Sequence, residues 1–173
     1  MKILRKIFSY LRKQYMPADR YARWAGVTVG DNCLIATKNF STEPYLITIG
    51  DNVQVTPDVY FHTHGGSHVA RSRYPKFDVF GKIRICDNAY IGSGSHIMPG
   101  VTVGRGSLIA SGSVVCKSVP DNEVWGGVPA KFICTVEDYI RRNLPFNLDT
   151  KGLSAEEKRS ILLSLPDDKF IKK

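Results

Sequence analysis

Apolar residues recur at every sixth position over much of the chain. From Ile85 the series runs through Ile91, Ile97, Val103, Ile109 and Val115, all β-branched aliphatics. Upstream, the same spacing links Ile49, Val55 and Phe61, and before them Val29 and Ile35. With 43% of the chain apolar, an unbroken run over these positions in a chosen frame would arise by chance about once in ten thousand trials. The next position is commonly small (Gly30, Ala36, Gly50, Gly92, Gly104, Ala110). Four residues on from the aliphatic sits a second small or apolar site: Val53, Val59, Ala89, Ser95, Val101, Ser107, Ser113.

A period of six matches neither the 3.6 of a helix nor the 2 of an alternating strand. It predicts an all-β solenoid in which each hexad is a short strand followed by a turn. The aliphatic points inward, and the Gly or Ala after it leaves room for the corner. Asp31-Asn32, Asp51-Asn52 and Asp87-Asn88, with Gly94, Gly100, Gly106 and Gly112, supply residues that accept positive φ there. Three hexads would make one coil of a triangular prism, and stacked coils would bury a continuous aliphatic column. A β-sandwich of short strands would instead alternate at two and space its turns less regularly.

The frame breaks twice. Between Ile35 and Ile49 there are two residues more than two hexads require, which predicts a bulge around Asn39, Phe40, Ser41, Thr42, Glu43 and Pro44. Between Phe61 and Ile85 the hexads vanish, and residues 64–82 are polar, basic and aromatic. They predict a loop extruded from the prism, a wall for a ligand cleft. A purely structural excursion is the alternative, but long loops without elements of their own are more often functional.

The ends differ from the middle. In residues 2–15, Ile3, Leu4, Ile7, Phe8 and Leu11 recur at three and four, which predicts an amphipathic helix within an N-terminal segment 1–22. That helix would cap the open end of the solenoid or lie on a membrane surface. The β-solenoid is expected over 23–134 and a helical tail over 135–173. Within the tail, Ser154-Ala155-Glu156-Glu157 is a capping-box pattern opening a helix through Leu165, ahead of Pro166.

Length and composition narrow the class. The 173 residues suit one domain with its own core, and no run reaches the ~18 apolar residues of a membrane-spanning helix. The start, MKILRKIFSYLRK, has no uninterrupted apolar region, so a secretory leader is not expected. Cys33, Cys86, Cys116 and Cys134 are widely spaced, fitting free thiols in a reducing cytoplasm rather than a disulfide scaffold or a zinc ribbon. The net charge of +8 owes much to the two ends. Without an aromatic RNA-binding motif or zinc-finger spacing, nucleic acid is a minor reading.

Two passages carry a resemblance. ICDNAYIGSGSHIMPGVTVGRGSLIASGSVVCKSVPDNEVWGGVPAK, ending at Lys131, is similar to the terminal coils and closing segment of the hexapeptide-repeat acyltransferases. EPYLITIGDNV, running into VYFHTHGGS and closing at FDVFGKI, resembles the sugar and polysaccharide O-acetyltransferases of that family, which carry a Thr-His-Asp-Gly segment. The resemblance spans roughly residues 23–134 and implies a left-handed parallel β-helix, acetyl-CoA as acyl donor, and a homotrimer with sites shared between subunits. It implies that His64 is the general base, through the Thr63-His64 match, in direct attack of a hydroxyl on the thioester. Gly65 stands where the family usually has Asp, so another group must orient the imidazole; Glu43 in the first bulge is the candidate.

Matching to the sugar acetyltransferases also assigns Ser93, Ser111, Cys116, Lys117 and Lys131 to acetyl-CoA. The lysines suit its phosphates as point charges. Tyr90 falls where some relatives have Trp beside the acceptor sugar, and Asn39 and His62 are further candidates for acceptor contact. The acceptor would be a sugar or polysaccharide precursor, free or lipid-linked, the latter favouring membrane contact through residues 2–15. An antibiotic or an amino sugar is the alternative acceptor. Two other classes remain: a non-catalytic β-helix used for assembly, and a metal hydratase like the γ-class carbonic anhydrases. His62, His64, His68 and His96 prompt the latter, but their order along the chain does not match three-histidine ligation, so no metal is expected.

Overall fold

The computed structural model describes residues 11–172. Each hexad forms a strand of two or three residues: β1 (Thr28–Val29), β2 (Leu34–Ile35), β3 (Ile47–Ile49), β4 (Gln54–Val55), β5 (Tyr60–Phe61), β6 (Ile83–Ile85), β7 (Tyr90–Ile91), β8 (His96–Ile97), β9 (Thr102–Val103), β10 (Leu108–Ile109) and β11 (Val114–Val115). They pair in parallel as three sheets, β1-β3-β6-β9, β2-β4-β7-β10 and β5-β8-β11. From β3 onward the chain therefore visits the three sheets in rotation, while in the first turn the third side holds only the isolated Asn39–Tyr60 bridge. In the upper turns Arg84 pairs with Thr102, Tyr90 with Leu108 and His96 with Val114, three hexads apart in each case. Lower down the spacing lengthens: Leu34 pairs with Gln54, and Gln54 with Tyr90.

Burial follows the frame. Every aliphatic of the series, and Phe61, is buried, the most open being Ile35 at 8%. The second sites are buried as well, and where they are serines the hydroxyl is bonded: Ser107 Oγ donates to the carbonyl of Pro120 at 2.6 Å and Ser113 Oγ to that of Ala110 at 2.6 Å. Asn32, Asn52 and Asn88 take positive φ at the corners, as do Gly94, Gly100, Gly106 and Gly112. Gly92 answers a different need, since a Cβ there would lie 2.5 Å from the backbone nitrogen of Ser111. Coils approach too closely at that corner for any side chain.

Two features depart from the sequence expectations. A helix that the hexad pattern did not announce, α1 (Ala18–Ala25), follows Pro17 and ends at Gly26, whose φ is 109°. The Arg23 guanidinium then donates to the carbonyls of Val29 and Gly30, tying the helix to the first strand. Of the amphipathic helix expected over 2–15, residues 2–10 lie outside the described residues, and 11–15 are helical. The closing segment is an antiparallel pair, β12 (Glu123–Gly127) with β13 (Ala130–Thr135), and β12 also lies parallel to β10.

The extruded segment is a narrow antiparallel excursion with a single helical turn at Ser67–Ala70. Gly65 N–H donates to the carbonyl of Val79 and Gly81 N–H to that of Thr63. Ser67, buried, donates to Asp78 Oδ1 at 3.0 Å and receives the N–H of Val79. Its apolar residues Tyr74, Phe77, Val79 and Phe80 remain exposed in the single chain.

The chain divides into two units, Met1–Val136 and Glu137–Lys173. The second holds α2 (Val136–Asn143), which begins one residue before it, and α3 (Ala155–Ser164), the latter opened by the Ser154–Glu157 capping box and ended by Leu165 ahead of Pro166. Among the described residues no helix is long and apolar enough to cross a membrane.

Candidate active site

The two frame breaks meet in space. Asn39, at the start of the bulge, pairs in parallel with Tyr60 of β5, so the bulge lies beside the chain that continues into Thr63 and His64. Glu43 Oε2 sits 2.9 Å from His64 Nδ1. Thr63 Oγ1 donates to the same oxygen at 2.7 Å, and Thr42 Oγ1 donates to Oε1 at 2.7 Å. The Thr42 bond, then the His64 contact and the Thr63 bond, hold the Glu43 carboxyl at about 2 against an ordinary 4.5. Glu43 is therefore an anion at neutral pH. An anion at that distance fixes the imidazole with its proton on Nδ1, leaving Nε2 as the basic nitrogen.

Thr63 is fully buried while the His64 side chain is 44% exposed, so the cluster is anchored from below and open above. Ser41 Oγ, 3.5 Å from His64 Nδ1, also receives the backbone N–H of Thr63. At position 65 a Cβ would lie 2.9 Å from Val79 Cγ2. The place where the family usually has Asp is crowded by the returning arm of the excursion, and the carboxylate reaches His64 from the bulge instead. Ser41, Thr42 and Thr63 were not among the sequence candidates. Their signal was a hydroxyl-rich run at the point where the frame gains two residues.

A second cluster lies along the third sheet. His62 Nε2 is 2.9 Å from His96 Nδ1, and the Tyr60 ring stacks on His96 with centroids 5.0 Å apart. Burial, then the neighbouring His96 and His64, lowers the His62 pKa. One ring of the pair must donate and the other accept, so at least one is neutral. Among the described residues no three His, Cys, Asp or Glu side chains gather as a metal site.

A cleft of about 600 Å³ adjoins His64, lined by Trp24, Asn39, Tyr60 and His62 together with Lys13 and Lys38. It thus brings Asn39, His62 and His64 together and adds Trp24, contributed by α1. Tyr90 is elsewhere, between Gln54 and Leu108 in the second sheet. The residues assigned to the acyl donor fall into two groups. Cys116, Lys117 and Lys131 line a smaller cavity of about 220 Å³ with Trp125, Pro129 and Phe132. Ser93 and Ser111 sit on neighbouring coils, where Gly112 N–H donates to the Ser93 carbonyl at 2.8 Å.

Comparison with known proteins bears on what such a site does. The family model for bacterial transferase hexapeptide (six repeats) matches residues 82–117. Protein CapG of Staphylococcus aureus is 42% identical over 165 residues, 93% of this chain and 95% of that protein. The chain belongs to the hexapeptide-repeat acyltransferases. This acyltransferase is also 33% identical over 124 residues to the galactoside O-acetyltransferase of Escherichia coli K12, a span of 70% of this chain and 60% of that protein. Among solved structures, a hexapeptide-repeat-containing acetyltransferase from Vibrio cholerae superposes with a TM-score of 0.57 at 33% identity, covering 64% of this chain and 63% of that one. The match spans less than two thirds of the length of those last two proteins.

Proposed function

We propose that this acyltransferase moves an acetyl group from acetyl-CoA to a hydroxyl of a sugar or polysaccharide precursor, with His64 as general base. The observation that carries this reading is the 2.9 Å contact between His64 Nδ1 and a carboxylate that stays ionised. A hydroxyl is a poor nucleophile until its proton is removed. With Nδ1–H given to Glu43, Nε2 takes that proton while the hydroxyl oxygen bonds to the acetyl carbon. As the carbon–sulfur bond breaks, the imidazolium returns the proton to the departing sulfur. No covalent enzyme intermediate is needed, and Glu43 acts through His64 as a positioning residue.

Acetyl-CoA is the donor substrate and supplies the activated carbonyl. Lys117 and Lys131, beside the apolar walls of Trp125 and Pro129, suit its phosphates and its extended arm; Cys116, Ser93 and Ser111 are assigned with them. Asn39 and His62 are assigned to the acceptor. Each subunit is taken as a left-handed coil within a homotrimer in the cytoplasm. Exposed Tyr74, Phe77, Val79 and Phe80 favour assembly, because apolar groups of that size are costly to leave in water. Light scattering should then give three times the 19.3 kDa chain mass.

The test is His64→Ala. Release of free thiol from acetyl-CoA in the presence of acceptor should fall by roughly a hundredfold or more, with the melting temperature unchanged. A folded His64→Ala protein that keeps the full rate overturns the assignment. The Lys117→Ala/Lys131→Ala pair should raise the KM for acetyl-CoA more than that for acceptor; equal effects remove these lysines from the donor site.

A further inference from the structure

The cleft beside His64 has an uneven charge that acetyl transfer by itself does not require. Lys13 and Lys38 stand in its wall, and no Asp or Glu lines it. Lys38 Nζ donates to the backbone carbonyl of Gln14 at 3.3 Å, which brings the ammonium to the segment that carries Lys13 but leaves its charge uncompensated. Arg12, on the same segment, lies 4.9 Å over the ring of Trp24. None of the ion pairs among the described residues includes Arg12, Lys13 or Lys38. Residues 1–10 contain no Asp or Glu to compensate them. The nearby carboxylate of Glu43 is already engaged by Thr42, Thr63 and His64. Beside these cations, Trp24 and Tyr60 are 43% and 40% exposed, an aromatic wall of the kind a pyranose packs against.

We infer that the acceptor is an anionic saccharide, bearing a carboxylate or a phosphate whose charge meets Lys13 and Lys38 while a hydroxyl of the same molecule meets His64. This deepens the proposed acetyl transfer and rests on it only for the fate of that hydroxyl. A lysine ammonium is a point charge that takes either anion. An aromatic wall with unpaired cations beside it selects an acidic sugar over a neutral one of the same shape. A neutral acceptor would gain nothing from the two ammonium charges.

Equilibrium binding tests this without any chemical step. Galactose, galacturonate and galactose 6-phosphate are titrated into the full chain by ligand-observed NMR. One or both anionic sugars should bind at least about tenfold more tightly than galactose, the reach of a charge-assisted hydrogen bond at a half-open site. The preference should shrink at about 0.5 M salt, where the screening length is roughly 4 Å. It should collapse toward unity in Lys13→Gln/Lys38→Gln and return in Lys13→Arg/Lys38→Arg, with melting temperatures showing that both variants fold. Equal affinity for all three sugars, no binding of either anion, or a preference that survives the glutamine variant would overturn the inference. Whether the carboxylate or the phosphate arm responds tells which anion the site takes. If the preference holds but no acetyl moves from acetyl-CoA to the bound sugar, the transfer reading fails and the charge inference stands.

Discussion

Residues 83–119 and residues 36–82 use one hexad rule with different outcomes. In the upper stretch partners lie three hexads apart, as with Tyr90 and Leu108, and nearly every residue serves a strand, a corner or the column of aliphatics. In the lower stretch the spacing rises between Leu34 and Gln54 and again between Gln54 and Tyr90. The column does not notice, because Val55, Val59 and Phe61 are as buried as Ile91 and Ile97. Inserted residues that leave the inward frame intact are free to carry polar chemistry. The two insertions, lying on neighbouring turns, bring Glu43 and His64 together. The stability of this protein belongs to the repeats, and the acid–base pair proposed for His64 and Glu43 to their interruptions.

That contrast can be broken from either side. The largest expected effect is in the column: Ile91→Ala, at a fully buried site, should cost about 2–5 kcal/mol in chemical denaturation. Glycines separate the regions next. Gly92→Ala forces a Cβ onto the backbone of the adjacent coil and should cost about 1–3 kcal/mol. Gly66→Ala in the excursion, with open space around it and an ordinary φ of −76°, should stay within about 0.5 kcal/mol. Equal melting temperatures for these two variants would remove the distinction.

Glu43→Gln sharpens the comparison at the site. Its rate should fall by about tenfold, mostly in kcat, through loss of the anion that orients His64. Folding lowers this carboxyl from 4.5 to about 2, so between those values the folded chain binds fewer protons than the unfolded one. The stabilisation is thus fully present above about pH 4.5 and is lost as pH falls toward about 2. Wild type should exceed Glu43→Gln in stability at neutral pH, with the gap closing in acid. A gap that persists at pH 2 would argue against the lowered carboxyl.

Much of this was legible in the chain itself. The period of six picked out the buried column residue by residue, since burial on a repeating turn demands an aliphatic at the same phase each time. The frame breaks marked where the polar residues would go, and Ser154 with Glu157 announced the start of α3 through purely local bonds. The sequence was less informative where contact depends on how distant turns register. Glu43 stands 21 residues from His64; its place in the first bulge made it the candidate partner of the imidazole, but the contact itself is set by the stacking of one turn on the next. Stacking likewise sets the pairing of His62 with His96, brings Trp24 to the cleft from a short helix with no hexad signature, and puts Tyr90 in the second sheet, away from the cleft. A repeat dictates its own phase locally; what faces an insertion is decided by whatever neighbouring turn the closed coil brings beside it.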